Sequence, residues 1–119
     1  LIELVIVITI LGILAAVAIP KFLNLNVNAQ IAATNGVAGA LASAAASNYA
    51  ARSVSTSITG SAAVANCTAV SGLLQGGLPT GYTIATSAIA PSATVTCTLT
   101  GPTANASTIT STFSATGIS

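Results

Sequence analysis

Leu1–Ile19 reads LIELVIVITILGILAAVAI, an apolar run broken in polarity only by Glu3 and Thr9. At 1.5 Å per residue it makes a helix of ~28 Å, just long enough to cross the hydrocarbon core of a bilayer. A secretory signal peptide would pair a shorter apolar run with a basic flank and then a polar mature chain. Here the helical pattern continues past the run, which favours a retained stem.

Beyond it, Val27, Ile31, Ala38, Leu41 and Ala45 follow one another at spacings of four, seven, three and four, one stripe of a helix. Asn24, Asn28, Asn35, Ser43 and Ser47 fall on the opposite side. Alanine is abundant from Ala29 to Ala51, which favours helix and allows close approach of neighbouring backbones. A single helix from Leu1 to about Arg52 is expected. Its weak region is Gly12 to Pro20, because glycine lowers helix propensity and proline removes a backbone donor and clashes with the carbonyl four residues back. A simple bend at Pro20 and a locally unwound segment are both compatible with these residues.

After Arg52 the composition turns to Ser, Thr, Gly and Ala, and Ser53 to Ser61 has no clear period, so it reads as a connecting loop. Asn66 is placed to cap a short helix from Cys67 to Gln75, stopped by Gly76-Gly77, with Leu78-Pro79-Thr80-Gly81 as the next turn. A strand at Cys67 to Val70 is the competing reading. Tyr82 to Ile89, Thr94 to Thr100 and Thr108 to Ser114 are rich in Thr, Val, Ile and aromatic residues and are separated by Pro91-Ser92 and Gly101-Pro102, which predicts three antiparallel strands. The expected class is α+β, in three parts. Residues 1–23 form a hydrophobic transmembrane or filament-core segment, 24–52 the amphipathic half of the same helix, and 53–119 a Ser/Thr-rich β-sheet head.

The composition narrows the chemistry. The 119 residues include two basic side chains, one acidic side chain and no histidine; 53% are hydrophobic and 3% charged, against roughly 25% charged in an ordinary soluble domain. Serine is plentiful, but its usual base is missing, and the one lysine, Lys21, sits at the membrane boundary, so no catalytic residue is expected. Calcium calls for several oxygen ligands, commonly carboxylates, and nothing acidic follows Glu3. No metal or cofactor is therefore expected. Lys21 and Arg52 are too few for one subunit to hold nucleic acid, although helical repetition of Arg52 would build a basic stripe. Phe22, Tyr49, Tyr82 and Phe113 are too sparse for a continuous aromatic stack and read as core packing.

Cys67 and Cys97 are the only cysteines, and neither has a His, Asp or Glu near it in sequence to complete a metal site. A disulfide is the expected state and implies an oxidising compartment outside the cytoplasm. The model of loop-closure entropy assigns such a bond on the order of 3 kcal/mol, a large share of what a head this small can muster. Asn66-Cys67-Thr68 and Asn105-Ala106-Ser107 match the N-glycosylation sequon, a short pattern with many false positives.

Glu3 is the informative residue of the stem, since a carboxylate costs roughly 2.5 to 3.5 kcal/mol at the centre of a spanning helix, less near its end, and commonly marks function. Snorkelling to the headgroups is the alternative. Leu1-Ile2-Glu3-Leu4-Val5, the run to Gly12, and Ala15-Ala16-Val17-Ala18-Ile19-Pro20-Lys21-Phe22 resemble the start of type IV pilins and pseudopilins. The match covers about the first quarter of the chain.

That resemblance implies a leader removed by a prepilin peptidase, a methylated amino terminus, and two mature residues upstream of Leu1. It implies that Glu3 pairs with the amino-terminal ammonium of a neighbouring subunit, and that the Gly12–Pro20 segment is extended in the filament. It further implies a homo-oligomeric helical filament outside the cell, preceded by a single-pass inner-membrane state and built by the pilus assembly machinery, for adhesion, twitching motility, surface contact or DNA uptake. A minor pilin or secretion pseudopilin shares the motif, and a monomeric membrane-anchored binding module is the alternative of another class.

Overall fold

The computed structural model describes residues 1–119. One helix, α1 (Ile2–Val54), runs the length of a molecule with extents of 79 × 23 × 17 Å. A 3-10 helix (Cys67–Leu73) follows, then strands β1 (Thr83–Ile84), β2 (Thr94–Thr100) and β3 (Thr110–Thr116). The sheet is antiparallel in the order β1-β2-β3. The chain is thus α+β, a long helix with a small sheet on its C-terminal half.

Alternation builds the two long strands. In β2, Cys97 and Leu99 turn to the core while Thr94, Thr96 and Thr98 face solvent; in β3, Phe113 and Ala115 turn inward while Thr110, Thr112 and Ser114 face out. The full seven-residue register, Thr94 opposite Thr116 through Thr100 opposite Thr110, keeps the two inward sets on one face. Against that face α1 lays Thr34, Ala38, Leu41, Ala45 and Asn48, and it packs chiefly on β3. The 3-10 helix adds Cys67 and Val70, and the loops add Val64 and Ile89. Only 17 of 119 residues are buried, with Phe113 the one aromatic among them, so the head relies on its cross-link. Cys67 and Cys97 form that disulfide, with Cα atoms 5.7 Å apart, joining the 3-10 helix to the middle of β2.

Several expectations need correction. The helix continues two residues past Arg52, to Val54, so the loop begins at Ser55. Through Gly12 and Pro20 it stays α-helical, with Pro20 inside it, which excludes local unwinding in the single chain and leaves the bend at Pro20 as the compatible reading. The buried stripe begins later than the apolar pattern suggests: Ile31 is exposed and Val27 half-buried, because the head reaches down α1 in packing depth only to Thr34. The segment from Cys67 is a 3-10 helix ending at Leu73, capped as expected by Asn66, whose Oδ1 accepts from the Ala69 amide at 2.9 Å. Gly76 and Gly77 follow at φ of 90° and 77°, a left-handed turn that glycine adopts without steric cost.

The strand expected from Tyr82 to Ile89 shrinks to Thr83–Ile84. After Ala85 donates to Thr98 the chain leaves β2, and Ser87, Ala88 and Ile89 pair instead with residues 65–67. The third strand is shifted two residues towards the C-terminus of its expected span. Ala104 and Ser107 exchange backbone bonds around Asn105 and Ala106, both at positive φ, and this turn postpones pairing until Ile109 meets Gly101. Among the aromatics, Phe113 is core and Tyr49 and Tyr82 are half-buried, but Phe22 is 70% exposed on the stem.

Candidate functional site

The surface with the largest unmet physical demand is the stem. Sixteen large apolar side chains between Leu1 and Leu25 are each at least half exposed. The most apolar window of α1 has a mean hydropathy of 2.9 and none of it is buried. At ~1.5–3 kcal/mol per side chain, covering them is worth about 25–50 kcal/mol, an upper figure that far exceeds the stability of a small head. A helix apolar on every side belongs in a bilayer or among other apolar helices, and this one is long enough to span a membrane.

The apolar run Leu1–Ile19 holds two polar side chains, one bonded within the helix and one not. The Thr9 hydroxyl donates to the Val5 carbonyl at 2.7 Å, so its proton is already bonded within the helix and would stay so in hydrocarbon. Glu3 lies in the first turn of α1, where the helix dipole favours a carboxylate. Lys21 stands eighteen residues further on, ~27 Å along the axis, out of reach. Arg52 is engaged at the far end of the head, its Nε donating to the Ser119 carbonyl at 3.2 Å and a guanidinium nitrogen to the Thr56 carbonyl at 3.4 Å. Glu3 is thus an exposed anion on an apolar rod with neither lysine nor arginine of its own chain to pair with.

Gly12 and Pro20 lie within the exposed stem. Pro20 has no amide hydrogen, so the Ala16 carbonyl lacks its usual donor four residues on, a standing weakness in an otherwise regular helix. Immediately past it, the Asn105 amide donates from Nδ2 to the Leu23 carbonyl at 2.7 Å. That bond joins the β2–β3 loop to the foot of the head, and the Arg52–Ser119 bond joins the other end.

Three residues hold the head on the helix, a role that the sequence did not assign to them. Asn48 hydrogen-bonds both backbone groups of Ala62. Gly101 is so close to Thr34 that a methyl group there would collide with the Thr34 hydroxyl and crowd Tyr82. Asn105 makes the strap just described. The run Thr34-Ala38-Leu41-Ala45-Asn48, at spacings of four, three, four and three, is the one signal that would have placed Asn48 inward. Both sequon asparagines are occupied, Asn66 as the helix cap and Asn105 on Leu23.

A shallow hollow of about 240 Å³ lies near the C-terminal end of α1, between Ala44, Asn48 and Ala51 on one side and Ile58 to Ser61 on the other. It holds no ionisable side chain, and no group of three or more His, Cys, Asp or Glu exists anywhere in the chain.

The class of architecture is a long apolar N-terminal helix packed through its second half on a small, disulfide-linked antiparallel sheet, which is consistent with a pilin-like fold. No protein-family model matches the chain, and no curated protein or solved structure matches it either.

Proposed function

We propose that this chain is a structural subunit, a major pilin of the type IV kind, which polymerises through its stem into an extracellular filament. The observation that carries the reading is the wholly exposed apolar stem bearing a single unpaired carboxylate near its start. Before assembly the stem spans the inner membrane. On assembly it exchanges lipid tails for the stems of neighbouring subunits, a transfer between two apolar surroundings with little hydrophobic gain of its own.

Register then comes from charge. Sliding one stem along another by a turn changes apolar contact little, but it separates Glu3 from the amino-terminal ammonium of the neighbour and leaves both buried without a partner. The weakness between Gly12 and Pro20 gives the stem a place to extend as subunits pack. The role is mechanical and not enzymatic: the head, residues 53–119, has no charged side chain, and the chain has no histidine to act as a base.

Electron microscopy of filaments sheared from the cell surface, with their subunit identified by mass spectrometry, tests the reading. This chain as the bulk component of thin filaments is the expected result. Its confinement to the membrane fraction as a monomer overturns it.

A further inference from the structure

The loop between β2 and β3, residues 101–109, is built as a rigid prong. Its base is closed where the Gly101 amide donates to the Ile109 carbonyl, and Ala104 and Ser107 exchange backbone bonds nearer the tip. Ala104 and Ile109 are buried. A β-carbon on Gly81 would touch the Pro102 ring, so the prong also leans on the turn before β1. At the tip, Asn105 and Ala106 stand at φ of 49° and 62°. Asparagine tolerates that left-handed region, but alanine enters it at a steric cost that the surrounding bonds must hold.

Two contacts set the prong on α1. Gly101 lies against Thr34, and Asn105 donates from Nδ2 to the Leu23 carbonyl at 2.7 Å, eleven residues or ~16 Å lower. Between these two points Val27 and Gln30 are half-buried, and every other residue of α1 before Thr34 is exposed. Leu23, Val27, Gln30 and Thr34 follow at spacings of four, three and four, so they share one face of the helix. The deep core ends at Thr34. The prong therefore accompanies α1 over a stretch that the sheet does not reach.

We infer that residues 101–109 are a brace that fixes where α1 can bend. A long helix leaving a small head would otherwise flex anywhere below its last core contact. The brace extends the rigid body from Thr34 down to Leu23, three residues past Pro20, whose missing amide leaves the Ala16 carbonyl without its usual donor. Bending is thereby confined to the stem below Leu23, where the weakness between Gly12 and Pro20 lies. A pull on the head reaches the stem without opening the helix between 23 and 34. Presenting Asn105 to the helix is what the strained conformation of Ala106 accomplishes.

The brace belongs to the single chain, beyond any role in filaments, and is tested without them. Backbone hydrogen exchange is measured on the full chain in phosphatidylcholine nanodiscs. In the wild type, amides 24–33 should exchange within about tenfold of amides 38–48, although the former lie outside the deep core. Asn105→Ala should speed exchange at 24–33 by about fivefold and leave 38–48 within about twofold. Asn105→Asp keeps the side-chain shape but sets a carboxylate against the Leu23 carbonyl, so it should match Asn105→Ala at about pH 7. At about pH 3 its protonated carboxyl can donate again, and protection at 24–33, relative to the wild type at the same pH, should return. An intact disulfide and unchanged exchange in β2 verify folding of each variant.

Unchanged exchange at 24–33 in Asn105→Ala, an equal rise at 38–48, or an Asn105→Asp variant that recovers nothing at acid pH would each overturn the brace. The expected pattern in a chain that makes no surface filaments would uphold it and reject the filament reading instead.

Discussion

Asn48 and Ala62 are joined by two hydrogen bonds: the Asn48 Nδ2 donates to the Ala62 carbonyl and its Oδ1 accepts from the Ala62 amide, both at 2.8 Å. Asn48 is 6% exposed. A buried side chain in the last turns of α1 thus satisfies both backbone groups of the loop that leads into the head. Asn48→Ala should destabilise the chain by about 2–3 kcal/mol, since it leaves a buried donor and acceptor of the loop unpaired. Asn48→Asp keeps the acceptor but sets an oxygen against the Ala62 carbonyl, and should be no milder. Chemical denaturation of the detergent-solubilised chain measures both; a change within experimental error would show that water replaces the side chain freely.

Gly101 and Thr34 touch where the sheet meets the helix, and a β-carbon on Gly101 would overlap the Thr34 hydroxyl. Gly101→Ala should therefore destabilise by about 1–3 kcal/mol through overpacking. Thr34→Ala removes the obstructing oxygen, so the double variant should be less damaged than the sum of the two single ones. Strict additivity in a double-mutant cycle would mean the strain is relieved elsewhere.

The Cys67–Cys97 bond closes a separation of 30 residues between two cysteines that are almost wholly buried. Replacing both with serine should cost about 3 kcal/mol or more, since two buried hydroxyls then add to the freed unfolded-state entropy. Reduction under native conditions should be slow and gated by unfolding of the head. Thiol labelling as fast as that of a small disulfide would contradict that.

Glu3→Gln and Glu3→Ala should leave the membrane-fraction level of subunit unchanged or higher, because a carboxylate hinders insertion into hydrocarbon. Under the proposed pairing, surface filaments should fall by about tenfold or more, since a neighbour's ammonium would then be buried without its partner. Wild-type filament yield from Glu3→Ala would reject the pairing and favour a carboxylate that merely snorkels.

α1 is continuous in the single subunit, and the filament reading predicts that the Gly12–Pro20 segment extends on assembly. Pro20→Ala restores a donor to the Ala16 carbonyl and should stiffen the stem. Filaments of the wild-type chain with a straight, unbroken helix across that segment would remove this part of the proposal.

Much of the fold was legible because it rests on local chemistry. The apolar run and the alanine-rich stretch after it give one long helix whatever packs beside them. Two cysteines with no metal ligand near them give the disulfide. TVTCTLT alternates cleanly, and β2 is found at Thr94–Thr100 as the pattern predicts. Glu3 stood out because a charge on an apolar helix is costly wherever that helix is buried.

What the sequence alone determined, then, is the stem, the cross-link, the central strand and the presence of one carboxylate on the apolar run, each readable from the chain's own periodicity and transfer energies. The tertiary structure decided the rest. The strand after Tyr82 stops at Ile84 because residues 87–89 find partners at 65–67, a choice between two distant acceptors that β-propensity does not encode. Asn48 faces the core because a loop with two free backbone groups lies over it, and Val64 meets Ile118 just past the end of β3 because that same loop returns to the sheet there. Such contacts depend on where separate segments arrive in space, and hydrogen bonds between them form only once the intervening chain has been placed.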